Sequence, residues 1–128
     1  MESEFANVNW LAVFAGTIAA FLVGWLWYSP KLFGTGWAAG SGVDLGSAQE
    51  MPVFAMVSQL VGLFVLSLVV GITATTSALM TAILAILAAA LFVLSAGSFV
   101  KKSGYALGVD FGYIVVAGAL MILAQGLL

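Results

Sequence analysis

The chain of 128 residues has no cysteine and no histidine. Disulfides, thiol redox chemistry and zinc or haem sites built on Cys or His are therefore excluded. Charge is also scarce: three lysines (Lys31, Lys101, Lys102) and five acids make up 6% of the residues, against about a quarter in an ordinary soluble domain. Three lysines form no nucleic-acid-binding patch. The acids are scattered along the chain, so no carboxylate-only metal cluster is expected, and no cofactor is implied. The serines and threonines have no histidine to activate them. Gly34-Thr35-Gly36 and Gly40-Ser41-Gly42 lack the Lys-Ser/Thr that completes a phosphate-binding loop. With neither a nucleophile–base pair nor a metal set, an enzyme is not expected.

What is abundant is apolar sequence, 64% of the chain, gathered into four runs at about 10–28, 53–72, 79–100 and 107–127. Each has about the 20 residues a helix needs to cross a hydrocarbon core of about 30 Å. Barrel strands would alternate apolar and polar residues over about ten positions, whereas these runs are apolar on every side. A backbone in lipid must satisfy its own hydrogen bonds. The expectation is a single all-α domain over residues 1–128, four transmembrane helices in an antiparallel bundle of two helical hairpins. The acidic start, Met1-Glu2-Ser3-Glu4-Phe5, is unlike the basic start of a cleavable signal, so the first run is expected to be retained as a span.

Proline is rare too, with two in the chain. Pro30 should end the first span, because it lacks an N–H and pushes Ser29 toward an extended conformation. The stretch from about 31 to 51 follows, rich in Gly and Ser, and reads as a cytoplasmic loop with Phe33 and Trp37 dipping into the interface. Within it Ser47-Ala48-Gln49-Glu50 matches a capping box, a lead-in to the second span near Pro52. All three lysines fall in loops on one side. The positive-inside rule places that side in the cytoplasm and both termini outside it, in a multi-pass bacterial inner-membrane protein. Trp10, Trp27, Tyr28, Lys31, Trp37, Lys101 and Lys102 are the expected interfacial anchors.

Small residues recur at helical spacing. Ala12, Gly16, Ala20 and Gly24 lie every fourth position on the first span; Gly104, Gly108 and Gly112 open the fourth. Thr81, Ala85 and Ala89 mark the third, Ser67 and Gly71 the second. Helices in lipid associate through close backbone approach, because apolar burial gains little there. Such stripes serve packing within one bundle, or at least one of them, foremost that on the first span, is a subunit interface. Partners are accordingly the lipid bilayer and a second copy or a larger membrane complex.

Asp110 is the one acid inside a span. A carboxylate at the bilayer centre costs about 2.5–3.5 kcal/mol on insertion scales, and less at the depth of Asp110, about two turns from the lysines. Tyr113 on its helix face and Gln59 at similar depth on the second span could complete a polar cluster, with Lys31, Lys101 or Lys102 as counter-charge. Such a cluster is either a proton or cation site or a structural carboxylate. An ionised, mainly structural Asp110 is the expectation.

Asn9-Trp10-Leu11-Ala12-Val13, then Trp27-Tyr28-Ser29-Pro30 with Phe33-Gly34 and Trp37, resembles the opening of the bacterial membrane proteins grouped as domain of unknown function 1761. Gly112-Tyr113, followed by an apolar run with Gly118 and Met121, also fits. The resemblance covers essentially the whole chain and implies a four-span inner-membrane protein without an established activity. Small multidrug transporters, also four spans in a similar length, carry a membrane-embedded glutamate in the first span, where this chain has no acid. The favoured reading is a structural or accessory subunit, or a homo-oligomer acting by helix packing. The alternative is a small proton- or cation-coupled transporter or channel using Asp110.

Overall fold

The computed structural model describes residues 5–43 and 53–128. The described residues form five helices and no strands: α1 (Trp10–Trp27), α2 (Gly34–Ser41), α3 (Val53–Thr75), α4 (Leu79–Phe99) and α5 (Gly104–Leu127). All but α2 are long and apolar enough to cross a membrane. The chain is thus an all-helical, multi-pass membrane protein. The capping box at 47–50 and its lead-in to Pro52 lie outside the described residues.

Local chemistry sets the helix ends. Asn9 caps α1 by accepting the Ala12 N–H at 3.1 Å, and Ser103 caps α5 by accepting the Ala106 N–H at 3.1 Å. Each satisfies a backbone donor that the first turn leaves unpaired. After Tyr28 the chain turns tightly: Ser29 O accepts from both Leu32 N and Gly34 N, and Trp27 O from Phe33 N. The hairpin between α3 and α4 turns through Ser77 (φ 56°) and that between α4 and α5 through Lys101 (φ 63°).

The stretch expected as a plain loop contains α2. Its composition, Gly-Thr-Gly-Trp-Ala-Ala-Gly-Ser, is poor in helix formers. It closes on Gly42 in the left-handed region (φ 69°), with Val43 N bonded to Ala38 O and Gly42 N to Ala39 O. That pairing lets a glycine stop the helix without stranded carbonyls. The docking of α2 on α5 supplies the order its propensity lacks. The Ser103 N–H, beyond the α4–α5 turn, donates to Gly40 O at 2.8 Å.

α5 is the central helix and meets α1, α2, α3 and α4. Its most extensive partner is α1, although the two stand at opposite ends of the chain. Ala12, Val13, Ala20, Ala90, Ala106 and Ala117 are completely buried, and Tyr113 and Met121 are the largest side chains sealed in the core. Small residues at the crossings fit a bundle held by close backbone approach rather than by expulsion from water.

The small-residue stripes distribute unevenly. Ala12, Gly16 and Ala20 are buried, and a Cβ on Gly16 would meet Ser67 Oγ at 3.0 Å and Met121 Cα at 3.2 Å. A Cβ on Gly24 would strike the Tyr113 phenol. Ser67 and Gly71 are likewise buried. Two of the stripes do not pack within the chain along their length. Gly104 and Gly108 face open space, because α5 turns Ala106, Val109 and Asp110 inward instead; Gly112 rests against the Trp27 ring. On α4 the inward stripe is Ala82, Ile86 and Ala90. Thr81, Ala85 and Ala89 sit one position, about 100°, around the helix. Ile86 seats against Gly118 of α5, which fixes that rotation.

Candidate functional site

Asp110 lies in the second turn of α5 and its side chain is 7% exposed. A carboxylate so placed needs donors to offset the loss of water. Three arrive from outside α5. Tyr28, just past the end of α1, donates its hydroxyl to Oδ1 at 2.6 Å. Trp37, from α2, donates its indole N–H to the same oxygen at 2.9 Å. Lys102, in the α4–α5 turn, places its ammonium 2.9 Å from Oδ2. All three bonds have a charged partner, which makes each stronger than a neutral one.

The donors also bind one another. The Tyr28 and Trp37 rings meet edge to face, with centroids 5.0 Å apart. The Lys102 ammonium stands 5.4 Å from the Trp37 ring centroid, within range of a cation–π contact. Beside them the Trp27 indole donates to Val109 O at 3.0 Å, and its ring packs on Phe33. Pro30 and the turn at 28–34 fold this segment back so that two consecutive aromatics and a third ten positions on converge on the Asp110 end of α5. Close approach is needed at Gly34, where a Cβ would run into the backbone of Tyr28, and at Gly40, where it would run into Ser103.

Of the expected trio of Asp110, Tyr113 and Gln59, the last two meet each other, and Asp110 is linked to them through Tyr28, whose ring meets Tyr113 edge to face at 5.6 Å. The Tyr113 hydroxyl donates to Ala20 O of α1 at 2.7 Å, in the space left by Gly24, and Gln59, exposed but one turn from buried Leu63 on the same face of α3, brings its side chain to that hydroxyl. Tyr113 is nearly one turn deeper than Asp110, and its ring points at α1. Of the three candidate counter-charges, Lys102 is the one used; Lys31 and Lys101 are exposed. Four of the residues expected as interfacial anchors, Trp27, Tyr28, Trp37 and Lys102, turn their polar atoms inward. Trp10 keeps an exposed ring at the opposite end of α1. A lone acid in a span demands donors, and the cluster of Trp and Tyr just after the first span was the sequence signal for them.

Residues 11–126 match the family described as "Protein of unknown function (DUF1761)". The chain belongs to that family. No curated protein and no solved structure matches it. The DUF1761 match takes in α2 and the whole constellation around Asp110. Chemically, that constellation is an ion pair in which each carboxylate oxygen has a donor, two on Oδ1 and one on Oδ2. It joins the end of α1, the short α2, the α4–α5 turn and α5 at one point.

Proposed function

We propose that this DUF1761 protein is a non-enzymatic component of the bacterial inner membrane that works through its helix surfaces, as a homo-oligomer or as an accessory subunit of a larger membrane complex. In this reading Asp110 is a structural clamp. The observation that carries it is that each carboxylate oxygen has a donor from its own chain, Tyr28 and Trp37 on Oδ1 and Lys102 on Oδ2. A carboxylate that loads and releases a proton or cation needs a state in which an oxygen is free. The outward faces of α3 and α4 supply the surface for partners, since both helices are mostly uncovered.

Asp110→Asn tests the clamp. Its amide still accepts from Tyr28 and Trp37, but its NH2 group meets the Lys102 ammonium as donor against donor. Thermal stability in detergent should fall by about 1–3 kcal/mol, the cost of an unsatisfied buried group. Proton flux driven by a pH gradient into proteoliposomes should be unchanged. The second reading, a small transporter, draws on the rule that an ionisable group within a span marks an ion path. It forecasts the reverse: an Asn variant of normal stability that has lost flux the parent carries.

The proposed orientation has both termini outside the cytoplasm and the Lys31 and Lys101–Lys102 loops inside, motivated by the lysine bias alone. A reporter active only in the periplasm, fused after Leu128, should be active. Activity of a cytoplasm-only reporter at the same position would invert the topology.

A further inference from the structure

α1 leaves one stripe uncovered. Leu22, Trp25 and Leu26 are 61%, 57% and 50% exposed, on a helix long and apolar enough to span. With Ser29 and Lys31 they line a groove at the C-terminal end of α1. The groove is apolar along the helix and turns polar where the span ends. The neighbouring donors divide sharply. The indoles of Trp27 and Trp37 and the ammonium of Lys102 are all engaged inside the protein. The Trp25 indole and the Lys31 ammonium have no hydrogen-bond or ion-pair partner among the described residues.

A second groove, lined by Leu91, Leu94, Ser95, Ser98, Phe99 and Leu107, lies toward the same end of the bundle on α4 and α5. It is also apolar with hydroxyls, but no cation lines it. The two grooves therefore differ in charge rather than in apolar character.

We propose that the α1 groove is a binding site for an anionic phospholipid. One acyl chain lies along Leu22 and Leu26 against the Trp25 ring, and the phosphate is taken by Lys31. Apolar walls alone would accept any lipid. A lysine with an aliphatic stem can reach the phosphate level from the end of a span, and a tryptophan there suits the boundary between chain and headgroup. The Lys31 charge at the headgroup end, with no acid paired to it among the described residues, selects the anionic class.

The test uses the full chain carrying Trp10→Phe, which removes the exposed indole at the far end of α1. It is reconstituted in zwitterionic vesicles doped with brominated-chain phosphatidylglycerol or, at equal mole fraction, brominated-chain phosphatidylcholine. Bromine quenches tryptophan at contact. The brominated phosphatidylglycerol should quench as though enriched about fivefold over its bulk fraction, the effect of roughly one basic residue at an anionic surface. Lys31→Gln should abolish the excess, and Lys101→Gln, which removes another exposed lysine, should preserve it. Equal quenching by the two headgroups overturns the proposal. So does an equal loss in both lysine variants, which would mean general surface charge and no site at Lys31.

Discussion

At the end of the bundle that carries Lys102, the elements are tied by side chains with directional chemistry. Tyr28, Trp37 and Lys102 converge on Asp110, Trp27 reaches Val109 O, and Ser103 N meets Gly40 O. Toward the opposite end, α1, α3 and α5 meet through Ala12, Val13, Gly16, Val70, Gly71 and Met121, with the Ser67 hydroxyl donating to Val13 O at 2.8 Å. There the Gln125 amide nitrogen is buried with no partner among the described residues. One end depends on particular functional groups, and the other on side chains being small. The two should fail differently. Replacing a donor at the Asp110 end should loosen a segment, whereas adding bulk at the far end should separate helices.

The largest expected effect is therefore steric. Gly16→Ile introduces branched bulk where Ser67 Oγ and the Met121 backbone leave room for little beyond a hydrogen. Overpacking of this kind costs about 1–3 kcal/mol and at times more, and here the Met121 backbone cannot rotate away. Leu22→Ile, on the exposed side of the same helix, conserves volume and should leave thermal stability in detergent unchanged. Were both variants to melt with the parent, close packing would not be what holds the far end.

The same contrast explains what sequence alone could disclose. The spans were legible because length and apolarity are properties of contiguous residues, and the end of α1 was legible from Pro30. The Ala12, Gly16, Ala20 stripe needed only helical periodicity. The rotation of α4 was not legible. Small residues recur at helical spacing on more than one face of that helix, and choosing between Ala85 and Ile86 as the inward position depends on the gap that Gly118 opens on a different helix. Nor was α2 legible, since Gly34, Gly36 and Gly40 argue against a helix until a docking partner is known. Asp110 stood out at once as an acid in lipid. Its aromatic partners did not, because Tyr28 and Trp37 are as much at home at a membrane interface as in a hydrogen-bonded cluster, and nothing local to them indicates which way their polar atoms turn.

The smaller effect probes the directional end. Trp37→Phe keeps an aromatic ring for Tyr28 and Lys102 to meet but removes the N–H that reaches Asp110 Oδ1. The carboxylate keeps two donors, Tyr28 and Lys102, so global stability should fall by only about 1 kcal/mol, a typical hydrogen-bond contribution. The loss should be concentrated in α2. Eight residues with three glycines cannot hold a helix unaided, so α2 should open more often once its tether to Asp110 is gone. Hydrogen exchange at residues 34–43 should accelerate about fivefold, the factor that corresponds to about 1 kcal/mol, while amides in the four spans keep the parent's protection. Acceleration shared equally by α3 and α4 would mean that the Asp110 cluster holds the whole bundle, and the division between a directional end and a steric end would have to be abandoned.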